Sequence, residues 1–200
     1  EIHGYDIIDG GAGRDTLVTS GTVYRLSSGD FALADDGRVT DIIRNIEVIE
    51  GAEILDLSAS TVGIHFDGDH SFTFGEDLVE IYGLFEIMGS QGSDTMTANE
   101  DIWLIHGGDG DDQLFGGEVI DFRLTGGRGN DLIEGGVGFA YGGDGDDIIT
   151  LESGEATGGD GNDIITITGS GIMDGGAGSD VLSGGFGSVA SGDANDTLTI

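Results

Sequence analysis

The stretch GGDGDDIIT, Gly142–Thr150, decides how this chain folds. Its first six residues recur as near copies: GGDGDD at Gly107–Asp112, GGRGND at Gly126–Asp131, GGDGND at Gly158–Asp163, GGAGSD at Gly175–Asp180 and SGDAND at Ser191–Asp196. The starts of the six phrases lie 19, 16, 16, 17 and 16 residues apart, and so regular a spacing is a register rather than chance. Two further copies stand upstream, GGAGRD at Gly10–Asp15 and the weaker GSQGSD at Gly89–Asp94.

Apolar residues keep step with the phrase. The second residue after each closing Asp is apolar: Leu17, Met96, Leu114, Ile133, Ile149, Ile165, Leu182 and Leu198. A second apolar position recurs two residues before the glycine pair, at Leu124, Ala140, Ala156, Met173 and Val189. Two apolar columns per coil suit two short strands, one on each side of a flattened coil, that share a narrow interior. Neither column can be buried by one coil alone, so successive coils must stack. The expected fold is all-β, a parallel β-solenoid (β-roll) that is irregular in its N-terminal half. Glycine supplies 41 of the 200 residues, and each one inside a helix would cost about 1 kcal/mol relative to alanine.

Within the phrase, glycine and aspartate do different things. Gly142, Gly143 and Gly145 can reach positive φ and turn carbonyl oxygens toward one side, while Asp147 closes the turn with a carboxylate. Stacking aligns Asp112, Asp131, Asp147, Asp163, Asp180 and Asp196 in one acidic row, to which Asp109, Asp144, Asp160 and Asp193 add a second carboxylate in some turns. Like charges about 5 Å apart oppose folding unless a cation lies between them. Calcium takes six to eight hard oxygens in flexible geometry, whereas magnesium requires near-octahedral order. Five gaps between six turns predict about five Ca2+ ions in one row along residues 107–196. Opposite turns such as Leu151–Gly154 lack the phrase, which predicts one row rather than two.

The remaining composition excludes several functions. Lys+Arg total 6 against 39 Asp+Glu, a net charge of −33 that repels nucleic acid and anionic membrane surfaces. Without cysteine there is no disulfide, thiolate nucleophile or cysteine-type zinc site. No apolar run reaches membrane-spanning length, so direct membrane insertion is not expected. Because the chain opens on Glu1, it is expected to be a mature or excised piece of a longer protein.

The array resembles the glycine- and aspartate-rich nonapeptide repeat of the RTX family, GGxGxDxUx with U a large apolar residue, seen in GGRGNDLIE at Gly126–Glu134 and GGDGDDIIT at Gly142–Thr150. The resemblance covers roughly residues 89–200, with an outlier at 9–18. It implies a calcium-bound parallel β-roll, type I secretion and folding outside the cell, hence an extracellular or cell-surface location. It also implies which turn positions ligate: Gly126, Arg128 and Asn130 through backbone carbonyls and Asp131 through its side chain. The same offsets give Gly107, Asp109, Asp111 and Asp112; Gly142, Asp144, Asp146 and Asp147; Gly158, Asp160, Asn162 and Asp163; Gly175, Ala177, Ser179 and Asp180; and Ser191, Asp193, Asn195 and Asp196. Alternate nonapeptides are eroded, as in EGGVGFAY at Glu134–Tyr141 and SGGFGSVA at Ser183–Ala190.

Residues 21–88 read differently, with longer apolar steps such as TDIIRNIEVI at Thr40–Ile49 and LVEIYGLFEIM at Leu78–Met88. They are either a continuation of the solenoid with irregular coils and protruding loops or a small β insertion. The expected division is therefore a repeat-like coil at 1–20, this segment at 21–88 and a calcium-binding β-roll at 89–200. Support for catalysis is thin. His65, Asp67, Asp69 and His70 form a tight cluster that suits a solvated turn better than a metal site, and His3 and His106 stand alone. The chain has no HExxH, GxSxG or GxxxxGK motif. Tyr5, Tyr24, Tyr82, Trp103 and Tyr141 could line a glycan groove if they formed an ordered row. The leading expectation is a non-catalytic, calcium-dependent structural module, a spacer, adhesin or surface-layer element, with neighbouring copies or domains of the same protein as partners. The alternative is an accessory module of an extracellular polysaccharide-active enzyme.

Overall fold

The computed structural model describes residues 6–199 apart from 13, 15, 26–30, 36–37, 45–47, 67 and 75–76, so His3, Tyr5, Asp15 and Asp67 lie outside the described residues. Described residues form strands, turns and bends without helix. No helix among them is long and apolar enough to cross a membrane. The strands join into one sheet wound as a parallel β-solenoid of about seven turns.

The N-terminal half begins with β1 (Asp6–Asp9), β2 (Thr16–Arg25), β3 (Phe31–Asp35), β4 (Arg38–Arg44) and β5 (Val48–Asp56). β2, β3 and β4 form an antiparallel meander, while β1 pairs with β4 and β2 pairs with β5 in parallel. A second antiparallel meander comprises β6 (Ile64–Phe66), β7 (Ser71–Phe74) and β8 (Asp77–Tyr82). β9 (Glu86–Met88) then returns to β5 in parallel register. The segment between residues 21 and 88 thus keeps parallel partners in the stack and adds two antiparallel meanders to it. Phenylalanine fills them: Phe66 and Phe72 stack at 4.4 Å, and Phe31 meets Phe74 edge-on at 5.5 Å across the two meanders.

From β10 (Thr95–Thr97) onward every pairing is parallel. β11 (Leu104–Asp109), β12 (Gln113–Phe115) and β13 (Ile120–Arg128) lead into β14 (Leu132–Asp144), β15 (Ile148–Asp160), β16 (Ile164–Ala177), β17 (Val181–Ala190) and β18 (Thr197–Thr199). β14 pairs with β12 through its first residues and with β13 through its last, so one strand covers both sides of a coil. Sequence spacing predicts short strand steps, whereas β14, β15 and β16 run 13, 13 and 14 residues. The reason lies in the corner opposite the acidic turn, where neighbouring coils remain paired through Gly138 and Gly154. Gly154 takes φ +129, and a Cβ there would overlap the Gly138 carbonyl oxygen.

Both expected apolar columns are present in the repeat region, but Leu17 pairs with Ile49 outside the first, and Leu198 at its end is exposed. One pairs Phe66, Met96, Leu114, Ile133, Ile149, Ile165, Leu182 and Leu198 in successive coils. The other runs unbroken from Val23 through Leu55, Ile87, Ile105, Leu124, Ala140, Ala156 and Met173 to Val189, crossing both halves of the chain. The eroded nonapeptide after Asp131 acquires a packing role. Ideal Cβ atoms at Gly135 and Gly138 would overlap or crowd the Phe122 ring, which is fully buried between these coils.

Candidate metal centre

The turn Gly142–Asp147 shows how the phrase is built. Gly143 and Gly145 adopt φ +127 and +137, which L side chains rarely reach, and a Cβ on either would overlap a carbonyl oxygen of the preceding coil, Gly127 or Gly129. Gly142 is needed for a different reason, because a Cβ there would overlap Asp147 Oδ2 beside the carbonyl oxygen of Gly158. Gly107, Gly126, Gly158 and Gly175 repeat this arrangement against Asp112, Asp131, Asp163 and Asp180. Omitting the first side chain lets a carboxylate fold back into the turn.

That carboxylate is buried. Asp112, Asp131, Asp147, Asp163 and Asp180 are 0–2% exposed. Each aspartate Oδ1 accepts a backbone N–H from the closing Asp of the coil before it: Asp94 donates to Asp112, Asp112 to Asp131, Asp131 to Asp147 and Asp147 to Asp163 at 2.8 Å, and Asp163 to Asp180 at 2.9 Å. Asp180 donates to the partly exposed Asp196 at 3.1 Å, which ends the ladder. The backbone supports the same register, since the Asp131, Asp147 and Asp163 carbonyls accept Ile148, Ile164 and Val181 N–H at 2.8 Å.

Oδ2 is where the turn is incomplete. In Asp112, Asp131, Asp147, Asp163 and Asp180 it is buried without a hydrogen-bond partner. An unpaired buried carboxylate oxygen is costly, and the protein responds by favouring the neutral acid. Burial raises Asp112 to about 8, Asp147 to about 7, and Asp131 and Asp163 to about 6, with neighbouring acids adding to each. These five oxygens, each near a first-position carbonyl of the following coil, are hard donors in a row. They have the chemistry that calcium requires. Among the described residues no three His, Asp or Glu side chains converge on a metal site, so any ion must draw on backbone oxygens as well.

The third and fifth positions lie outside this buried row. Asp109, Asp144 and Asp160 are exposed, and Arg128 lies 3.6 Å from Asp109 and 3.7 Å from Asp144, an arginine between two carboxylates of adjacent coils. The carbonyls of Arg128, Asp144, Asp160 and Ala177 accept N–H groups of Gly110, Gly129, Gly145 and Gly161 at 2.7–2.8 Å. Fifth-position side chains form a second, exposed ladder that runs the other way. Asp111 Oδ1 accepts Asn130 N–H, Asn130 Oδ1 accepts Asp146 N–H, and Asp146 Oδ1 accepts Asn162 N–H, at 2.8, 2.8 and 2.7 Å. Asn162 continues it to Ser179 at 3.0 Å. Alternating Asp with Asn keeps ionised groups two coils apart, and the Asn162 amide also donates to Asp146 at 3.0 Å. Asp109, Asp144, Asp160 and Asp193, expected to add a second carboxylate to the row, are exposed, whereas the closing aspartates from Asp112 to Asp180 are buried. At the last phrase Ser191, Asp193 and Asn195 lie beyond the end of β17, and Asp193 N–H donates to the Gly176 carbonyl at 2.9 Å.

The other candidates resolve into packing and turns. His65 is exposed on β6, Asp69 Oδ1 accepts Ser71 N–H at 2.9 Å, and the His70 ring stacks on Tyr82 at 4.8 Å. His106 faces Glu86 at 3.4 Å. Trp103 and Tyr141 are exposed, as is Phe139, which lies under the Arg123 guanidinium at 5.6 Å.

Comparison with known proteins agrees with this geometry. The profile of the RTX calcium-binding nonapeptide repeat matches residues 4–21, 88–122, 123–138, 139–157 and 168–188. No curated protein matches the chain. The matched segments span more than half of the sequence and contain the turns closed by Asp112, Asp131, Asp147 and Asp180, and the chain belongs to the family of RTX calcium-binding repeats.

Proposed function

We propose that this chain is a non-catalytic, calcium-dependent structural module of a secreted or cell-surface protein. One observation carries the reading: five buried Oδ2 atoms lack a partner, and each lies near a first-position carbonyl of the next coil. Five such places agree with five ions in a single row along residues 107–196. Asp112, Asp131, Asp147, Asp163 and Asp180 would be the side-chain ligands, with carbonyls of the first, third and fifth turn positions completing the shell. Bound calcium would supply two positive charges per gap, which makes the ionised form of each buried carboxylate favourable. Because the site does not exist in an unfolded chain, binding free energy becomes folding free energy.

Within that role, a rigid spacer or surface-layer element is favoured over glycan binding. Phe139 and Tyr141 are exposed on one coil, but their register partners are Arg123 and Thr125 on one side and Glu155 and Thr157 on the other. That arrangement supplies no axial row of aromatics for a sugar chain. We read residues 1–20 and 21–88 as the irregular lead-in to a roll at 89–200. The test is to titrate calcium into chelated protein while following far-ultraviolet circular dichroism and melting. β signal and melting temperature should rise together with calcium; a full signal without calcium and an unmoved melting temperature would refute the proposal.

A further inference from the structure

The turn Gly89–Asp94 has the burial of its successors but not their chemistry. Asp94 is 1% exposed, and its Oδ1 accepts Ile64 N–H at 2.8 Å, as later closing aspartates accept from their own preceding coils. Both of its oxygens, however, find donors within the turn. Ser90 N–H donates to Oδ2 at 2.7 Å, and the Ser90 hydroxyl donates to Oδ1 at 2.7 Å while accepting Gly92 N–H at 3.1 Å. Asp94 is accordingly missing from the row of unpartnered Oδ2 atoms that starts at Asp112.

The backbone differs as well. Gly108 and Gly110, the second and fourth positions of the next turn, take φ +117 and +116, and the corresponding glycines of later turns are also positive. Ser90 and Gly92 are not in that region. Ser90 carries a side chain and stays out of the left-handed region, so its own N–H turns to Asp94 Oδ2, while Gly89 keeps the first-position arrangement against Asp94 Oδ2 and the Gly107 carbonyl. Burial still raises the Asp94 carboxyl above its usual value, but three N–H or O–H donors oppose that rise without a cation and leave neither oxygen unpartnered.

We infer that the gap between turns Gly89–Asp94 and Gly107–Asp112 holds no ion, because Ser90 gives Asp94 the donors that later gaps leave to calcium. This rests on the calcium reading above and adds a starting point to it. Residues 89–94 are a metal-independent ledge that offers Asp94 N–H to Asp112 Oδ1 and Asp94 C=O to Gln113 N–H, both at 2.8 Å. The first calcium-dependent coil docks on that ledge, and the roll extends from it toward residue 196.

Native mass spectrometry of the whole chain in calcium tests the inference by counting ions. Asp94→Asn should keep the wild-type count, whereas Asp147→Asn should lose at least one ion. Ser90→Gly, which restores the phrase as GGQGSD, should gain one. Loss of an ion in Asp94→Asn, or an unchanged count in Ser90→Gly, would overturn the exchange of hydroxyl for ion while leaving the calcium reading intact. A wild-type chain that binds no calcium would instead defeat the calcium reading itself. If Ser90→Gly does not fold, the Asp94→Asn count decides alone.

Discussion

The two halves of the solenoid bury different things. Between residues 49 and 87 the interior is large and apolar, with Phe66, Phe72, Leu57, Ile81 and Leu84 almost completely buried. The coil from Gly142 to Thr157 buries Ile149, Leu151 and Ala156 and then places Asp147 in the same interior. Each large apolar side chain contributes about 1.5–3 kcal/mol when buried, whereas a buried carboxylate without a partner subtracts from stability. The N-terminal half can therefore hold its shape by hydrophobic burial, and the C-terminal half depends on something that neutralises its acids. A single unbroken apolar column, Val23 to Val189, makes the halves one structure despite this difference.

The largest expected effect comes from chelation. Removing calcium should abolish amide protection at Asp131, Asp147 and Asp163 while leaving that of Leu55, Phe66 and Ile87, as read by hydrogen exchange; equal loss in both halves would break the comparison. Next, Phe66→Ala should cost about 3–5 kcal/mol in denaturant unfolding, by the same amount with or without calcium. Gly143→Ala should cost about 2–4 kcal/mol, because its Cβ would strike the Gly127 carbonyl at an unfavourable φ. Gly136→Ala is its control: the nearest atom to that Cβ is Glu152 Oε2 at 3.9 Å, so the change should stay within about 0.5 kcal/mol. Asp147→Asn should have opposite signs in two buffers. It raises stability by roughly 1 kcal/mol in chelator, where a buried acid is removed, and lowers the melting temperature in calcium, where a ligand is lost.

A further effect is graded with pH and follows from the raised carboxyls. Asp131 and Asp163 at about 6, Asp147 at about 7 and Asp112 at about 8 titrate near 4 in an unfolded chain. Between these values the metal-free fold holds more protons than the unfolded chain, so its stability falls as pH rises from about 4 through 8. Calcium reverses the sign, because the ion binds the deprotonated carboxylates, and affinity should climb across the same range. Melting curves at pH 5, 6, 7 and 8 in chelator and in calcium would show the two trends diverge; parallel trends would remove the carboxylates from the account.

Much of the roll was legible in the sequence because its core is one-dimensional. A 16- to 19-residue period places Ile133, Ile149 and Ile165 one above another, and Leu124, Ala140 and Ala156 likewise, with no knowledge of distant contacts. The antiparallel meanders were not legible, since a reversal within a solenoid reads as one more apolar step. Nor was the separation of the acids, because Asp144, Asp146 and Asp147 are adjacent in sequence while only Asp147 is buried. The signal that distinguishes Gly89–Asp94 is a single serine in place of the second glycine, a difference whose consequence depends on where its hydroxyl and N–H point.

By itself the sequence determined the repeat, the all-β stack, the glycine requirement and calcium as the matching cation, since local spacing and residue chemistry suffice for each. Tertiary structure alone decided which oxygens remain without a partner. Asp94 and Asp147 close similar phrases and are equally buried, yet Ser90 and Ile64 complete the hydrogen bonding of the first while Asp147 Oδ2 has no donor. Satisfaction of a buried carboxylate depends on the path of its own turn, as with Ser90 four residues before Asp94, and on groups that stacking brings from coils 16 to 30 residues away.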